Sequence, residues 1–162
     1  MNITLAHAIT GVAHDCDVAK IAILGVPNTP GVAHSIFSAL AADNVAVDMI
    51  VQSIRTAETN ITDMVFTVSL DDLAQAKKTA EAVAEKIHAA GVTYAENVAK
   101  VSIVGAGMLG SPGIAAKMFG SLAEAGINIE IISTSEISIS CLVEGTKVKE
   151  AVQIIHKNFF GQ

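Results

Sequence analysis

The chain has 162 residues, a formal net charge of −6 and hydrophobic residues at 51% of its positions. That length accommodates one medium domain or two small ones. Lysine and arginine are scattered and aromatic residues reach only 4%, which argues against a nucleic-acid-binding surface. No apolar run approaches the ~20 residues of a membrane-spanning helix, so we expect no membrane contact. The apolar surplus indicates either self-association or a generously packed core, and we favour self-association.

The cysteines and histidines indicate the redox environment of the protein and whether it could bind a metal. Cys16 and Cys141 are isolated thiols without a CxxC motif, a pattern that favours a reducing, cytoplasmic location. The five histidines do not pair with cysteines or carboxylates at the spacing of metal ligands. We therefore expect no metal site.

A domain-sized repeat dominates the sequence. The two copies are offset by a constant 82 positions from the Pro-Gly pair as far as Ser53 and Ser135. The offset relates Pro30, Gly31, Phe37 and Leu40 to Pro112, Gly113, Phe119 and Leu122. A repeat of about eighty residues predicts two similar domains instead of a solenoid.

A short strand precedes the repeat, and the first copy then alternates strands and helices. The predicted elements are strand 9–13, strand 20–26, a helix opened by 28–31 and ended by 43–44, strand 45–54, strand 61–69, a helix from 71–72 to Gly91, and strand 92–96. Helices are predicted from apolar residues at i, i+3, i+4 and i+7, and strands from alternation. The order β-α-β-β-α-β predicts a four-stranded antiparallel sheet with both helices on one face, the ferredoxin-like arrangement.

The second copy is one strand short. Its predicted elements are strand 101–104, helix 113–124, strand 127–133, strand 137–143 and helix 146–158. Because an incomplete sheet exposes unpaired backbone groups at its edge, we expect the surplus strand 9–13 to cross over and complete the second sheet. The predicted fold is therefore α+β, with a first domain at 16–98 and a second at 99–162 plus 7–14.

The two Pro-Gly helix starts are the main candidates for ligand binding. Proline suits the first helical turn because its φ is fixed and it lacks a donor, and glycine lets a ligand approach the backbone closely. The unpaired N–H groups and the positive helix end favour a carboxylate. The alternative is that each pair only starts a helix, but its recurrence in the same context favours binding. Gln52, a polar residue on an otherwise apolar strand beside the first loop, is a further candidate.

A dinucleotide-binding loop is a weaker interpretation. Gly105, Gly107 and Gly110 form a GxGxxG pattern after a strand, the signature of such a loop. Pro112 and Gly113 delay the helix beyond these glycines, so a pyrophosphate would not lie on its N-terminus. Too few residues remain after the loop for a dinucleotide domain, so a small NAD-binding enzyme is a remote alternative. We find no catalytic motif, and the polar residues at 133–136 either satisfy a turn or line a pocket.

Taken together, these motifs resemble a known family. The segments that carry the resemblance are 10–15, 31–33, 47–52, 62–66, 100–108 and 128–136. They resemble the regulatory region of aspartate kinase (aspartokinase), a tandem pair of ACT domains, over essentially the whole chain from Ile9 to Phe160. The resemblance implies two ferredoxin-like ACT domains, a homodimer formed through them, and a catalytic chain or domain of aspartate kinase as partner.

The resemblance also implies a ligand and its contacts. In that family the ACT domains bind lysine, threonine or both as feedback inhibitors, between an ACT domain and its partner, and no cofactor is expected. The implied effector-binding residues are Asn28, Pro30, Gly31, Val32, Ala33, Asp48, Gln52, Ile114, Ala115, Asn128, Ile129 and Ser135. Asn28 stands where the family often has aspartate, which removes a charge partner for an ammonium group. Ala115 stands where some relatives have threonine.

The catalytic half of that family, with its Lys-Phe-Gly-Gly motif, is missing from this sequence. We therefore expect no kinase activity from the chain alone. The chain is either a separate regulatory subunit or a fragment of a longer protein. An ACT module that regulates another biosynthetic enzyme is the remaining alternative.

Overall fold

The computed structural model describes residues 9–56, 58–106 and 112–161. The elements in chain order are β1 (Gly11–Asp15), β2 (Ala19–Pro27), α1 (Val32–Ala42), β3 (Ile50–Thr56), β4 (Ile61–Val68), α2 (Leu73–Lys86), β5 (Gly91–Ala95), β6 (Val98–Val104), α3 (Ile114–Glu124), β7 (Ile131–Thr134), β8 (Ser138–Glu144) and α4 (Val148–Phe160). The chain divides into two compact units. One comprises Asp17–Glu96, and the other combines the chain from Asn97 onward with the N-terminal part up to Cys16. Within the described ranges, no helix is long and apolar enough to cross a membrane.

The first unit is a sheet whose core face is covered by two helices. Its antiparallel strands have the order β3-β4-β2-β5. Burial alternates along β4 as far as Phe66: Met64 and Phe66 are buried in the core, whereas Asp63 and Val65 are half-buried. The helices contribute Ile36, Leu40, Ala76, Ala80 and Val83 to the same core. Each fully buried large aliphatic side chain contributes ~1.5–3 kcal/mol, so this one-sided core holds the helices on the sheet.

The second unit repeats this arrangement with a borrowed strand. Its antiparallel sheet has the order β1-β6-β8-β7. Strand β1 pairs with β6 from Gly11 opposite Val104 to Asp15 opposite Lys100, which confirms that the N-terminal strand completes the second sheet. The strand begins two residues later than the sequence predicted. Ile9 instead packs into the core of this unit and is only 3% exposed.

Two predicted strands were too long at their N-terminal ends. Strands were predicted from 45 and from 127, but β3 begins at Ile50 and β7 begins at Ile131. In the first unit Val45 is buried after the helix end, and the N–H of Asp48 donates to the carbonyl of Thr67 at 3.0 Å. The segment from 45 to 49 is therefore partly buried and partly paired before β3 begins. Its alternating sequence pattern is the reason that a longer strand was predicted.

One helix end was also predicted wrongly. The second helix of the first unit was expected to stop at Gly91, but this helix, α2, ends at Lys86. His88 lies just beyond it with a left-handed φ of 59°, and the N–H of Ala89 donates to the carbonyl of Ala84 at 2.8 Å. A left-handed residue after the last turn is a common way to end a helix, usually with glycine. Here a histidine adopts that conformation, so the use of Gly91 as the marker of the helix end placed the end too late.

Candidate functional site

An open cavity of about 320 Å³ lies in the first unit, where the β2–α1 loop faces β3 and β4. It is lined by Pro27, Asn28, Thr29, Pro30, Gly31, Val32, Ala33, Gln52 and Met64. Ligand pockets are typically ~300–1,000 Å³, so this cavity suits a small molecule. None of these lining side chains carries a charge.

Short backbone contacts shape the β2–α1 loop. Strand β2 ends with Pro27 opposite Ile61. The N–H of Asn28 donates to the carbonyl of Asn60 at 2.9 Å, and the N–H of Thr29 donates back to the carbonyl of Pro27 at 3.0 Å. These bonds tie the loop to the β3–β4 connection, so the Asn28 side chain is carried at the mouth of the cavity.

Helix α1 presents its N-terminus to the cavity. Gly31 is the N-cap residue with φ 91° and ψ −10°, and among the described residues no side chain caps the helix. The first N–H groups of an α-helix have no intrahelical partner, and the first turn of α1 contains no acidic residue. The amides near Ala33 can therefore donate to an anion, and the positive end of the helix favours one.

The expected position of proline in these helices was wrong. Proline was predicted in the first helical turn, but α1 begins at Val32 and α3 at Ile114, so Pro30 and Pro112 precede the N-caps. Both N-cap glycines are left-handed, with φ 91° at Gly31 and φ 96° at Gly113. Glycine is favoured here by its backbone conformation.

Gln52 faces Asn28 across the cavity. Gln52 lies opposite Met64 in the β3–β4 register, and directly opposite residues share a face of the sheet. Its side-chain Nε2 donates to Oδ1 of Asn28 at 3.4 Å. Two amide side chains and a helix N-terminus thus surround one small cavity. This arrangement suits a zwitterion, with a carboxylate at the helix and polar groups at the amides.

The structure brings one half of the predicted site residues together. Asn28, Pro30, Gly31, Val32, Ala33 and Gln52 all line the cavity. Asp48 lies apart from it, exposed in the segment that leads into β3. Sequence reasoning missed Met64, because only the strand register places it opposite Gln52. It also missed Thr29, although this residue lies between two predicted ones.

The predicted residues of the second copy are distributed along their unit. Ile114 is 1% exposed in the core, so only its main chain could reach a ligand, and Ala115 and Ile129 pack partly against the same core. Asn128 is exposed before β7. Ser135 lies in the β7–β8 turn, where its hydroxyl pairs with that of Ser138 at 2.9 Å. The glycine-rich loop at 107–111 lies outside the described residues.

Metal-binding clusters and cysteine thiols are the reactive groups considered in the described part of the chain. No group of three or more histidines, cysteines or acidic residues there could hold a metal ion. Burial raises the pKa of the Cys141 thiol from 9.0 to about 12, so this residue is a neutral core side chain at ordinary pH. A nucleophilic cysteine needs the opposite shift.

The comparisons with known proteins agree with the fold. The pattern of the ACT domain family matches residues 21–84 and 101–159. The chain is 42% identical over 151 residues to an aspartokinase of Mycolicibacterium smegmatis. The aligned region covers 93% of this chain and 36% of that protein. The chain thus spans about a third of the length of the curated relatives it matches.

Two solved structures are similar over almost their full length. The regulatory subunit of aspartate kinase from Thermus thermophilus, in its ligand-free form, has a TM-score of 0.88 and 39% identity, covering 94% of this chain and 99% of that one. A chain from a crystal structure of aspartokinase alpha and beta subunits has a TM-score of 0.87 and 43% identity, with the same coverage. The ferredoxin-like topology and these matches leave no basis for the NAD-binding alternative.

Proposed function

Because the chain belongs to the ACT domain family and is a regulatory part of aspartate kinase, we propose that it binds an end-product amino acid. The proposed effectors are lysine, threonine or both. The bound amino acid lowers the activity of a catalytic chain that phosphorylates aspartate, and this chain has no catalytic activity of its own. We place the assembly in the cytoplasm.

The cavity beside α1 is the observation that supports amino-acid binding. An uncapped helix N-terminus favours a carboxylate by ~0.3–1 kcal/mol at an exposed site and up to about 2 kcal/mol when partly buried. Each hydrogen bond from Gln52 or Asn28 adds ~0.5–1.5 kcal/mol. Together these contacts amount to at most about 5 kcal/mol, and the cost of immobilising the ligand is set against them. They therefore account for the orientation of the amino acid and not for its whole affinity.

Regulation requires that the effector distinguishes two states of the complex. A ligand shifts an equilibrium only by its difference in affinity for the two states, and allosteric coupling typically amounts to ~1–3 kcal/mol. If the amino acid changes the affinity between this chain and its catalytic chain, the catalytic chain changes the affinity of this chain for the amino acid by the same factor. This reciprocity makes the proposal testable from the regulatory side.

The proposed assembly is a homodimer formed through the ACT domains. Ile50, Ile132 and Ile137 are large apolar side chains with substantial exposure, which supports self-association. Ile50 and Ile132 occupy equivalent positions of the repeat, 82 residues apart. A monomeric mass at micromolar concentration, with and without the amino acids, would argue against the dimer.

Calorimetry tests the binding proposal directly. The chain is titrated separately with L-threonine, L-lysine and, as a control, glycine. We expect saturable binding of threonine, lysine or both, and an affinity that changes when a catalytic chain of aspartate kinase is added. Binding of neither amino acid, alone or with the catalytic chain, would overturn the proposal.

A further inference from the structure

Strand β2 contains a bulge directly before the candidate pocket. Its pairing with β4 is regular as far as Ile23 opposite Met64, and resumes one residue out of step at Val26 opposite Thr62. Gly25 lies in this bulge with a left-handed φ of +63°. A Cβ added to Gly25 would lie 2.7 Å from the Cβ of Ala90. The position therefore requires glycine for two reasons, its left-handed backbone and the lack of space for a side chain. Bulges of this kind bend a strand and redirect the residues beyond the bend.

A carboxylate on the neighbouring strand holds the bulge. Oδ1 of Asp63 accepts a hydrogen bond from the N–H of Gly25 at 2.9 Å. Met64 and Gln52 lie on the pocket face of the sheet, and adjacent residues of a strand point to opposite faces. Asp63 therefore acts from the face opposite the pocket. Hydrogen bonds to a charged acceptor are shorter and roughly twice as strong as neutral ones.

The bulge sets the course of the chain into the ligand loop. Only Val26 and Pro27 separate Gly25 from Asn28. The direction in which β2 leaves the sheet therefore determines where the Asn28 side chain stands relative to Gln52, a contact of 3.4 Å. The side chains of a binding site must lie within about 0.5 Å of the geometry that binds the ligand.

We propose that Asp63 is a positioning residue for the candidate effector pocket. It fixes the Gly25 bulge from the far face of the sheet and thereby aims Asn28 and the start of α1 at the ligand, without contacting the ligand itself. This inference rests on the proposed function, because it assigns Asp63 a part in amino-acid affinity. It also predicts a local consequence in the unliganded chain, which can be measured separately.

Asp17 offers a matched control in the same unit. Its Oδ1 accepts a hydrogen bond from the N–H of Leu70 at 3.0 Å, the same kind of contact as that between Asp63 and Gly25. It precedes β2, whereas the pocket lies beyond the other end of that strand. Asp17→Ala therefore removes a more exposed carboxylate that makes the same kind of contact, without touching the bulge.

The first readout is amide hydrogen exchange of the ligand-free chain by NMR. In Asp63→Ala we expect the amides of Gly25 and Asn28 to exchange about tenfold faster or more, while the amide of Ile21 keeps its protection. Asp63→Asn retains an oxygen acceptor and should restore the protection. Asp17→Ala should leave both amides unchanged.

The second readout is calorimetric affinity for L-threonine and L-lysine. We expect Asp63→Ala to weaken whichever amino acid binds by about tenfold, Asp63→Asn to recover most of that loss, and Asp17→Ala to match the wild type. If Asp63→Ala does not fold, Asp63→Glu, which keeps the charge but alters the reach of the carboxylate, is judged by the same criteria.

The two readouts separate the possible failures. Unchanged exchange at Gly25 and Asn28 together with unchanged affinity, in a folded variant, would overturn the role of Asp63. So would equal losses in Asp63→Ala and Asp17→Ala, because they would indicate general destabilisation. If the wild type binds neither amino acid while Asp63→Ala still loosens Asn28, the proposed function fails and the positioning of the loop by Asp63 stands.

Discussion

The two copies of the repeat share a scaffold but differ in the side chains around it. Gly31 and Gly113 start their helices with nearly identical backbone angles, φ 91° and ψ −10° against φ 96° and ψ −14°. The position of Gln52 in the first copy is occupied by Thr134 in the second. Strand β3 runs on to Thr56, whereas β7 ends at Thr134 and enters a tight turn. A shared helix start alone does not establish a shared site, because binding also depends on the groups that face it.

The difference between the copies extends to the core. The exposed isoleucines of the two edge strands, Ile50 and Ile132, lie opposite Phe66 and Cys141, respectively. Phe66 and Cys141 therefore occupy equivalent positions, and both are fully buried. Duplication has kept the geometry of this position while one copy fills it with an aromatic ring and the other with a thiol.

The largest expected effect is the contribution of one buried thiol in the second copy to the pH dependence of stability. Burial raises the pKa of the Cys141 thiol from 9.0 to about 12, so the folded state retains a proton that the unfolded state loses in this window. The resulting stability is present below pH 9 and is lost as pH rises towards 12, at ~1.4 kcal/mol per pH unit. Cys141→Val should lack this contribution in urea denaturation measured across that pH range. Identical pH dependence in the two proteins would contradict the prediction.

Gly25→Ala should produce the next largest effect. It compares the stability cost at a crowded left-handed glycine with the cost at Gly31, where a Cβ would meet no other atom. The variant suffers both the left-handed conformation and overlap with Ala90, so we expect a loss of about 3 kcal/mol in the free energy of unfolding. Chemical denaturation measures it. A loss below that of Gly31→Ala would show that the bulge relaxes around the new methyl group.

Gly31→Ala and Gly113→Ala test whether the two helix starts are structurally equal and functionally different. Each glycine is left-handed with open space where a Cβ would lie, so each variant should lose ~1–2 kcal/mol of stability. Only Gly31→Ala should also weaken amino-acid binding, as calorimetry would show. Equal losses of affinity in both variants would imply that the second helix start also binds ligand.

The sequence predicted those features that depend on local pattern or on completeness of a sheet. The Ile36–Leu40 stripe of α1 follows from helical periodicity. The crossover of strand β1 follows from the strand that the second sheet would otherwise lack. The register was not predictable, because the pairing of Gln52 with Met64 depends on long-range contacts that leave no local signal. The left-handed caps at Gly31 and Gly113 were also missed, since a Pro-Gly pair fits either of two positions at a helix start.

A titration of two matched variants tests the central claim most directly. Gln52→Ala removes the amide that faces the pocket, and Thr134→Ala truncates the equivalent residue of the other copy. With threonine and lysine as ligands, we expect Gln52→Ala to weaken binding by about tenfold and Thr134→Ala to remain within about twofold of the wild type. Wild-type affinity in Gln52→Ala, or an equal loss in Thr134→Ala, would contradict the assignment of the effector site to the first copy.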